Sequence, residues 1–479
     1  MSHDSPHSFS RLLGVILAIV LMLPGLARAD ESEAASPPAE VSFYRDVRPI
    51  LQRHCSGCHQ PAKAGGKLVL TSYAELAKGG DNGEGFTPGK PDESLLIEYI
   101  TGDEPLMPLK AEPLKPEQVA LISRWISEGA KDDTPQSVSD TISAENPPKY
   151  TSPPVISALA YSPDSKWLAV SGFREVLVHK ADGSGLAHRL VGRSQRIESL
   201  TFSPDGKILA AVGGTPSLFG EVQLWSTEDF TLLRSGTFST DTLFGGRFSD
   251  DGTLFAFGGA DNSIRIIQVE NAQLLRKLDP HSDWVFGTAF SQDGKHIVTV
   301  SRDMAMKLSI VENGQFVDNI TSITPGALKG GLIAVRRHPQ KDEFLTGGAD
   351  GEPKLYQMIR TQARRIGDDF NRIRSYPALP GRIFSLDFND DGSRFVVGSS
   401  TGMGGTARIY DTETGKQIHE LKGHERGVFA VAYRPDGQQV ATGGFDGHIR
   451  LFNTLTGELV REFVPVELSP AVATAKSEP

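Results

Sequence analysis

From Tyr150 onward, one short turn recurs along the chain, and no other feature constrains the fold as strongly. It is written Ser162-Pro163-Asp164-Ser165, Ser203-Pro204-Asp205-Gly206, Ser249-Asp250-Asp251-Gly252, Ser291-Gln292-Asp293-Gly294, Asn389-Asp390-Asp391-Gly392 and Arg434-Pro435-Asp436-Gly437. A seventh, degenerate copy runs through His338-Pro339-Gln340-Lys341-Asp342. Each copy lies between two apolar, strand-like stretches, and Gly-rich turns with further strands follow before the next copy. A period of roughly 40 to 50 residues is that of a β-propeller blade. A single such unit cannot bury both faces of its small sheet, so seven copies imply seven blades stacked on one another.

The repeats resemble the WD-repeat family. The resemblance rests on Gly423-His424 before the last unit, on Leu224-Trp225-Ser226 and Ile409-Tyr410-Asp411 at third-strand ends, and on the turn aspartates Asp261, Asp303, Asp350 and Asp446. It implies a fold and, more often than catalysis, a binding platform. The aspartates are expected to brace tight turns. The first, second and sixth units lack one, so their turns must be held another way. Leu459 to Val464 is enough for an outer strand of the last unit, so closure is expected from side-chain packing rather than strand exchange. His179, His188, His281, His296, His338, His419, His424 and His448 are scattered, and most are expected at the surface or in turns.

Ahead of the repeats the periodicity is helical. Phe43, Val47, Ile50 and Leu51 form an amphipathic stripe, and Val119, Ile122, Trp125 and Ile126 form another after Pro116, with Gly129 as a stop. Two shorter helical stretches lie around Tyr73 to Lys78 and Glu93 to Ile100. The first stripe leads into Cys55-Ser56-Gly57-Cys58-His59, which holds both of the chain's cysteines. Two cysteines spaced this way before a histidine form the attachment signature of a c-type haem. Cys55 and Cys58 would form thioethers with the haem vinyl groups, and His59 would be the proximal iron ligand. A thiol exchanger of the Cys-x-x-Cys type belongs beside a βαβ pattern, which is lacking here. A zinc site needs four ligands spread tetrahedrally, and His54, Cys55, Cys58 and His59 are too crowded. For the sixth ligand, Met107 is the single methionine between Val41 and Asp133, in a Pro105-Leu106-Met107-Pro108 loop whose prolines favour an extended chain. The alternative for Met107 is core filler. His/Met ligation would give one covalent haem c with no open position for substrate, favouring electron transfer.

Residues 43–131 resemble the planctomycete-type cytochrome c domain. The match runs from Phe43-Tyr44-Arg45-Asp46-Val47-Arg48-Pro49-Ile50-Leu51 through the haem motif and the methionine loop to Trp125-Ile126-Ser127-Glu128-Gly129-Ala130. The expected architecture is multidomain: a small all-α, class I-like cytochrome c domain over 41–133, a linker over 134–149, an all-β seven-bladed WD-repeat propeller over 150–466 and a disordered tail over 467–479.

Residues 1–29 read as an export leader, with Arg11, an apolar Leu12 to Leu26 and the small-x-small site Ala27-Arg28-Ala29. Its apolar run of about 15 residues is short of the roughly 20 that a membrane anchor, the alternative reading, needs. A periplasmic or otherwise exported location, with no integral membrane span after cleavage, is therefore expected. The net charge of −10 argues against nucleic acid or anionic membrane as a partner. The basic stretch from Arg360 to Arg374 is either a docking site for an acidic partner or a solvated arm.

Three functions fit these features. The favoured one is an electron-transfer protein whose propeller docks a protein redox partner. The second is an enzyme whose propeller holds another cofactor, and the third is a haem-based sensor or scaffold. No acid/base or nucleophile constellation stands out, so no catalytic residue is assigned.

Overall fold

Capping and one aromatic cluster set the helical region. The computed structural model describes residues 40–60, 63–109, 112–134, 142–324, 329–365 and 367–469. The expected leader, much of the linker and the tail from Pro470 lie outside the described residues. Ser42 Oγ accepts from Arg45 N at 2.8 Å while Ser42 N donates to Asp46 at 2.9 Å, a reciprocal cap. The expected first helix opens as a single wide π turn, Phe43–Val47, and becomes helix α1 at Arg48–His54. Pro49 sits in the first turn of α1, where a missing N–H costs nothing. Helices α2 (Tyr73–Lys78), α3 (Leu95–Ile100) and α4 (Pro116–Ser127) follow. Trp125 of α4 is fully buried, with Phe43 at 5.3 Å and Phe86 at 5.0 Å between ring centroids. Its indole donates to Lys131 O at 3.0 Å, and Tyr73 OH to Ala130 O at 2.8 Å. Gly129, at φ +99°, turns the chain out of α4.

Seven four-stranded antiparallel sheets follow, each made of four consecutive strands. Blades 1 to 7 span 159–191, 196–239, 243–278, 285–319, 332–375, 382–421 and 428–463. The recurring turn joins the first strand of each blade to the second. In four copies its serine donates to the aspartate two residues on, as in Ser162 to Asp164 at 2.6 Å and Ser291 to Asp293 at 2.7 Å. Asn389 and Arg434 donate to Asp391 and Asp436 in the same way. In the degenerate copy His338 Nδ1 accepts from Gln340 N at 3.1 Å, so a different group holds the same turn.

The turn aspartates make ion pairs with a cation four residues on, inside the third strand. Asp261 pairs with Arg265, Asp303 with Lys307, Asp350 with Lys354 and Asp446 with Arg450. Blades 1, 2 and 6 have a substitute at the same level: Glu175–Arg189 at 2.6 Å, Glu221–Arg193 at 2.9 Å and Arg408–Glu420 at 3.0 Å. Every blade therefore carries an ion pair on its third strand.

The ring closes without strand exchange. Leu159, Leu168, Val170 and Leu177 of blade 1 share a buried cluster with Ala430, Ala441, Ile449 and Leu451 of blade 7. A short parallel bridge adds to it, because Tyr150 pairs with Leu468 and Ser469 N donates to Tyr150 O at 2.7 Å. Leu468 and Ser469, at the start of the expected tail, are thus tied to the ring.

Most histidines lie where expected: His281, His338, His424 and His448 are in loops or turns and His188, His296 and His419 are half-buried, while His179 is buried in a strand. None of the eight is exposed, and His179, His281 and His338 are buried. His281 bridges Asp303 and Thr299 at 2.8 Å each, and His424 reaches Thr442 at 2.8 Å, so both fasten loops to second strands. Burial lowers the His179 and His424 imidazoles to about 4, whereas the unfolded value is about 6.5. Between these values the unfolded chain takes up protons that the folded chain refuses. The stabilisation is full above about pH 6.5 and is lost as pH falls, by about 2 kcal/mol per group at about pH 5. We predict a lower thermal midpoint at pH 5 than at pH 7. His179→Phe, which keeps a ring against Phe463, should narrow the gap in scanning calorimetry; an unchanged gap would contradict this assignment.

Candidate functional site

The segment leaving α1 turns tightly. Cys55 N and Ser56 N both donate to Leu51 O, at 2.9 and 3.0 Å, and Cys58 N and His59 N to Cys55 O, at 3.1 and 3.2 Å. Cys55 is half-buried against the helical core and Cys58 is exposed; the two thiols are not joined. Burial pushes the Cys55 thiol up to about 12, Cys58 adds to the rise and Arg193 opposes it. With no group bound, Cys55 is therefore a neutral thiol rather than the thiolate that acts in thiol exchange.

His59 lies on a short ribbon, His59–Gln60 paired with Lys63–Ala64. Its Nδ1 is 3.2 Å from Leu68 O. A carbonyl only accepts, so Nδ1 carries the proton and the Nε2 lone pair is left for a metal. Met107 N donates to Tyr99 O at 2.8 Å, and its half-buried side chain packs on the same apolar cluster as Cys55 and Leu68. On either side of it Leu106 and Leu109 remain 64% and 68% exposed. Large apolar side chains left in water around a thioether suit a site covered by an apolar ring. The residues present thus fit a haem: two thiols, one imidazole Nε2, one thioether and an apolar rim. The structure gathers Cys55, Met107 and the carbonyl that orients His59 around one cluster, with Cys58 outside it. His54 is occupied elsewhere, its Nε2 3.3 Å from the Gln118 side chain of α4.

The other face of the motif rests on the propeller, through residues that sequence reasoning missed. Arg193 lies between the last strand of blade 1 and the first of blade 2, and its side chain is 3% exposed. It binds Glu221 at 2.9 Å, donates to Gln52 O at 2.8 Å and to Thr237 Oγ1, and stacks on Phe219 with 4.0 Å to the centroid. Glu221 is fully buried and also accepts from Ser194 at 2.6 Å, Gln223 at 2.8 Å, Ser235, and Gln60 at 3.3 Å. Burial alone would raise its carboxyl, but the Arg193 charge and these donors hold it below the usual range. Gln52 and Gln60 bracket the five-residue motif, so a single ion pair anchors both ends of it. Ser56 and Gln60 are fully buried. The visible flag for this site was the missing turn aspartate in the second repeat.

The basic stretch divides: Arg365 and Arg372 are exposed, whereas Arg360 and Arg364 are drawn into ion pairs. Arg360 is buried against Asp318 and Asp368, and Arg364 pairs with Asp318 at 2.7 Å. Asp318 belongs to blade 4, so the insertion of blade 5 clamps its neighbour. The axial channel, about 310 Å³, is walled by Phe244, Phe286, Phe384 and Phe429. Among the described residues no group of three or more His, Cys, Asp or Glu gathers to hold a metal ion. Nor is any helix among them long and apolar enough to cross a membrane.

Residues 55–108 match the family described as Planctomycete cytochrome C. Residues 272–308, 371–411 and 415–453 match the WD domain, G-beta repeat. Among curated proteins, the chain is 30% identical over 126 residues to periodic tryptophan protein 2 homolog of Mus musculus, covering 26% of this chain and 12% of that protein. It is 32% identical over 131 residues to apoptotic protease-activating factor 1 of Rattus norvegicus, covering 27% and 10%. Angio-associated migratory cell protein of Homo sapiens is 30% identical over 152 residues, covering 31% and 32%. The chain thus spans a third or less of the length of these relatives.

The motif meets blade 2 at Gly57, with room for a methyl group but not for a large side chain. A Cβ there would lie 3.7 Å from Thr237 Oγ1 and 4.0 Å from Arg193 Nη2, ordinary contact distances. We predict that Gly57→Ala leaves the denaturation midpoint unchanged, whereas Gly57→Leu costs about 1–3 kcal/mol by overpacking. Equal tolerance of both would contradict the packing described.

Proposed function

We propose that this chain, a planctomycete-type cytochrome c domain joined to a seven-bladed WD-repeat propeller, carries one covalent haem c and passes electrons through it to or from a protein partner docked on the propeller. Cys55 and Cys58 would hold the haem, with His59 and Met107 as iron ligands. The observation that carries the reading is the Leu68 carbonyl 3.2 Å from His59 Nδ1, which fixes the tautomer that offers Nε2 to a metal beside two unjoined cysteines. When bound, the group supplies a one-electron couple, and His/Met ligation leaves it no substrate position. The residues of the chain orient the imidazole, present the thioether and leave an apolar rim at Leu106 and Leu109, where electrons could pass to a partner. Export belongs to the same proposal: the leader-like residues 1–29 would carry the chain to the compartment where such haems are attached. WD-repeat propellers generally mediate protein–protein contacts, which supports docking as the role of the larger domain.

The test is optical. Protein expressed with a c-type haem maturation system should show a low-spin spectrum, a sulfur-to-iron charge-transfer band, and no change when carbon monoxide is added to the reduced form. Met107→Ala should lose that band and bind carbon monoxide. A variant spectrum identical to the parent would remove Met107 as ligand, and parent protein without covalent haem would overturn the reading.

A further inference from the structure

We propose that Arg193 and Glu221 of the propeller are positioning residues of the haem site and set its reduction potential, an inference that rests on the haem reading above. Both charges are buried, and both reach the motif from blade 2: Arg193 through Gln52 O at 2.8 Å, Glu221 through Gln60 at 3.3 Å. The guanidinium is the nearer of the two to the attachment loop, lying against Gly57 and acting on the Cys55 thiol. Charges withdrawn from water act over longer range than exposed ones, because little solvent screens them. An oxidised haem carries one more positive charge than a reduced one. A buried cation beside the motif therefore favours the reduced state, and a buried anion favours the oxidised state. The pair also fixes the orientation of the loop, since Gln52 precedes the first cysteine and Gln60 follows the ligand histidine. A propeller that served only as a docking platform would need no buried charge pair aimed at this loop.

The two roles separate by sign. Loosening the loop would move the potential the same way whichever partner is removed, whereas loss of charge moves it in opposite directions. The experiment is spectroelectrochemical titration of full-length, haem-loaded protein as parent, Arg193→Met, Glu221→Gln and the double variant. The expected result is a lower midpoint for Arg193→Met, a higher one for Glu221→Gln, and a double variant between them. If Arg193→Met does not fold, the remaining two decide: Glu221→Gln must lie above the parent and the double variant below Glu221→Gln. Single variants that shift together, or not at all, overturn this proposal while leaving the haem reading intact. Parent protein that shows no haem in a pyridine haemochrome assay overturns both.

Discussion

Arg193 and Glu221 are almost wholly withdrawn from water, at 3% and 0% side-chain exposure. Desolvating two such charges costs several kcal/mol per ion, and the cost is recovered only where the remaining protons and lone pairs find partners. Here they do, and some of those partners flank the Cys55–His59 motif: the Gln52 carbonyl and the Gln60 amide. The pair is therefore complete only when the helical region sits on blade 2. The described chain from Val41 onward forms one compact unit, and this contact is a physical reason for it. Removing one partner alone would leave a buried charge unmet, at about 3–5 kcal/mol.

The same device recurs around the ring with a different purpose. In blades 3, 4, 5 and 7 the turn aspartate meets a cation four residues on and stays within its own blade. Blade 1 uses Glu175 and Arg189, and Arg189 also donates to Pro148 O at 2.7 Å, which ties down the chain entering the ring. In blade 2 the acid has moved into the third strand and the base onto the loop before the blade, which turns the pair toward the helical region. Two repeats that depart from the regular pattern thus hold the residues outside the ring.

Much of this was legible in the sequence. The spacing of Ser162, Ser203, Ser249, Ser291 and their counterparts predicts the blades, because each turn must hydrogen-bond locally whatever surrounds it. The helices begin at Pro116 and Tyr73 as read, since capping and apolar spacing are local too. Cys55, Cys58 and His59 are adjacent in the chain, so the motif itself could be read without the fold. Contacts between distant segments could not be read in this way. Arg193 and Gln52 are far apart in the chain, and an arginine after a strand looks like any surface charge. For the same reason spacing does not reveal that the loop residue His281 is buried: Asp303 and Thr299 meet it from elsewhere in the chain. Arg360 and Arg364 form a basic run in one dimension and a neutralised clamp in three, because Asp318 and Asp368 fold against them.

If the segment around Cys55–His59, the proposed haem site, and the propeller are coupled through a buried charge pair, they should lose structure together. The most direct measurement is thermal unfolding of the full-length, haem-loaded protein followed at once by Soret absorbance and by far-ultraviolet circular dichroism. The account predicts coincident transitions with one midpoint. A haem signal that melts well below the β-sheet signal would contradict it, showing a helical region that folds and fails independently of the blade beneath it.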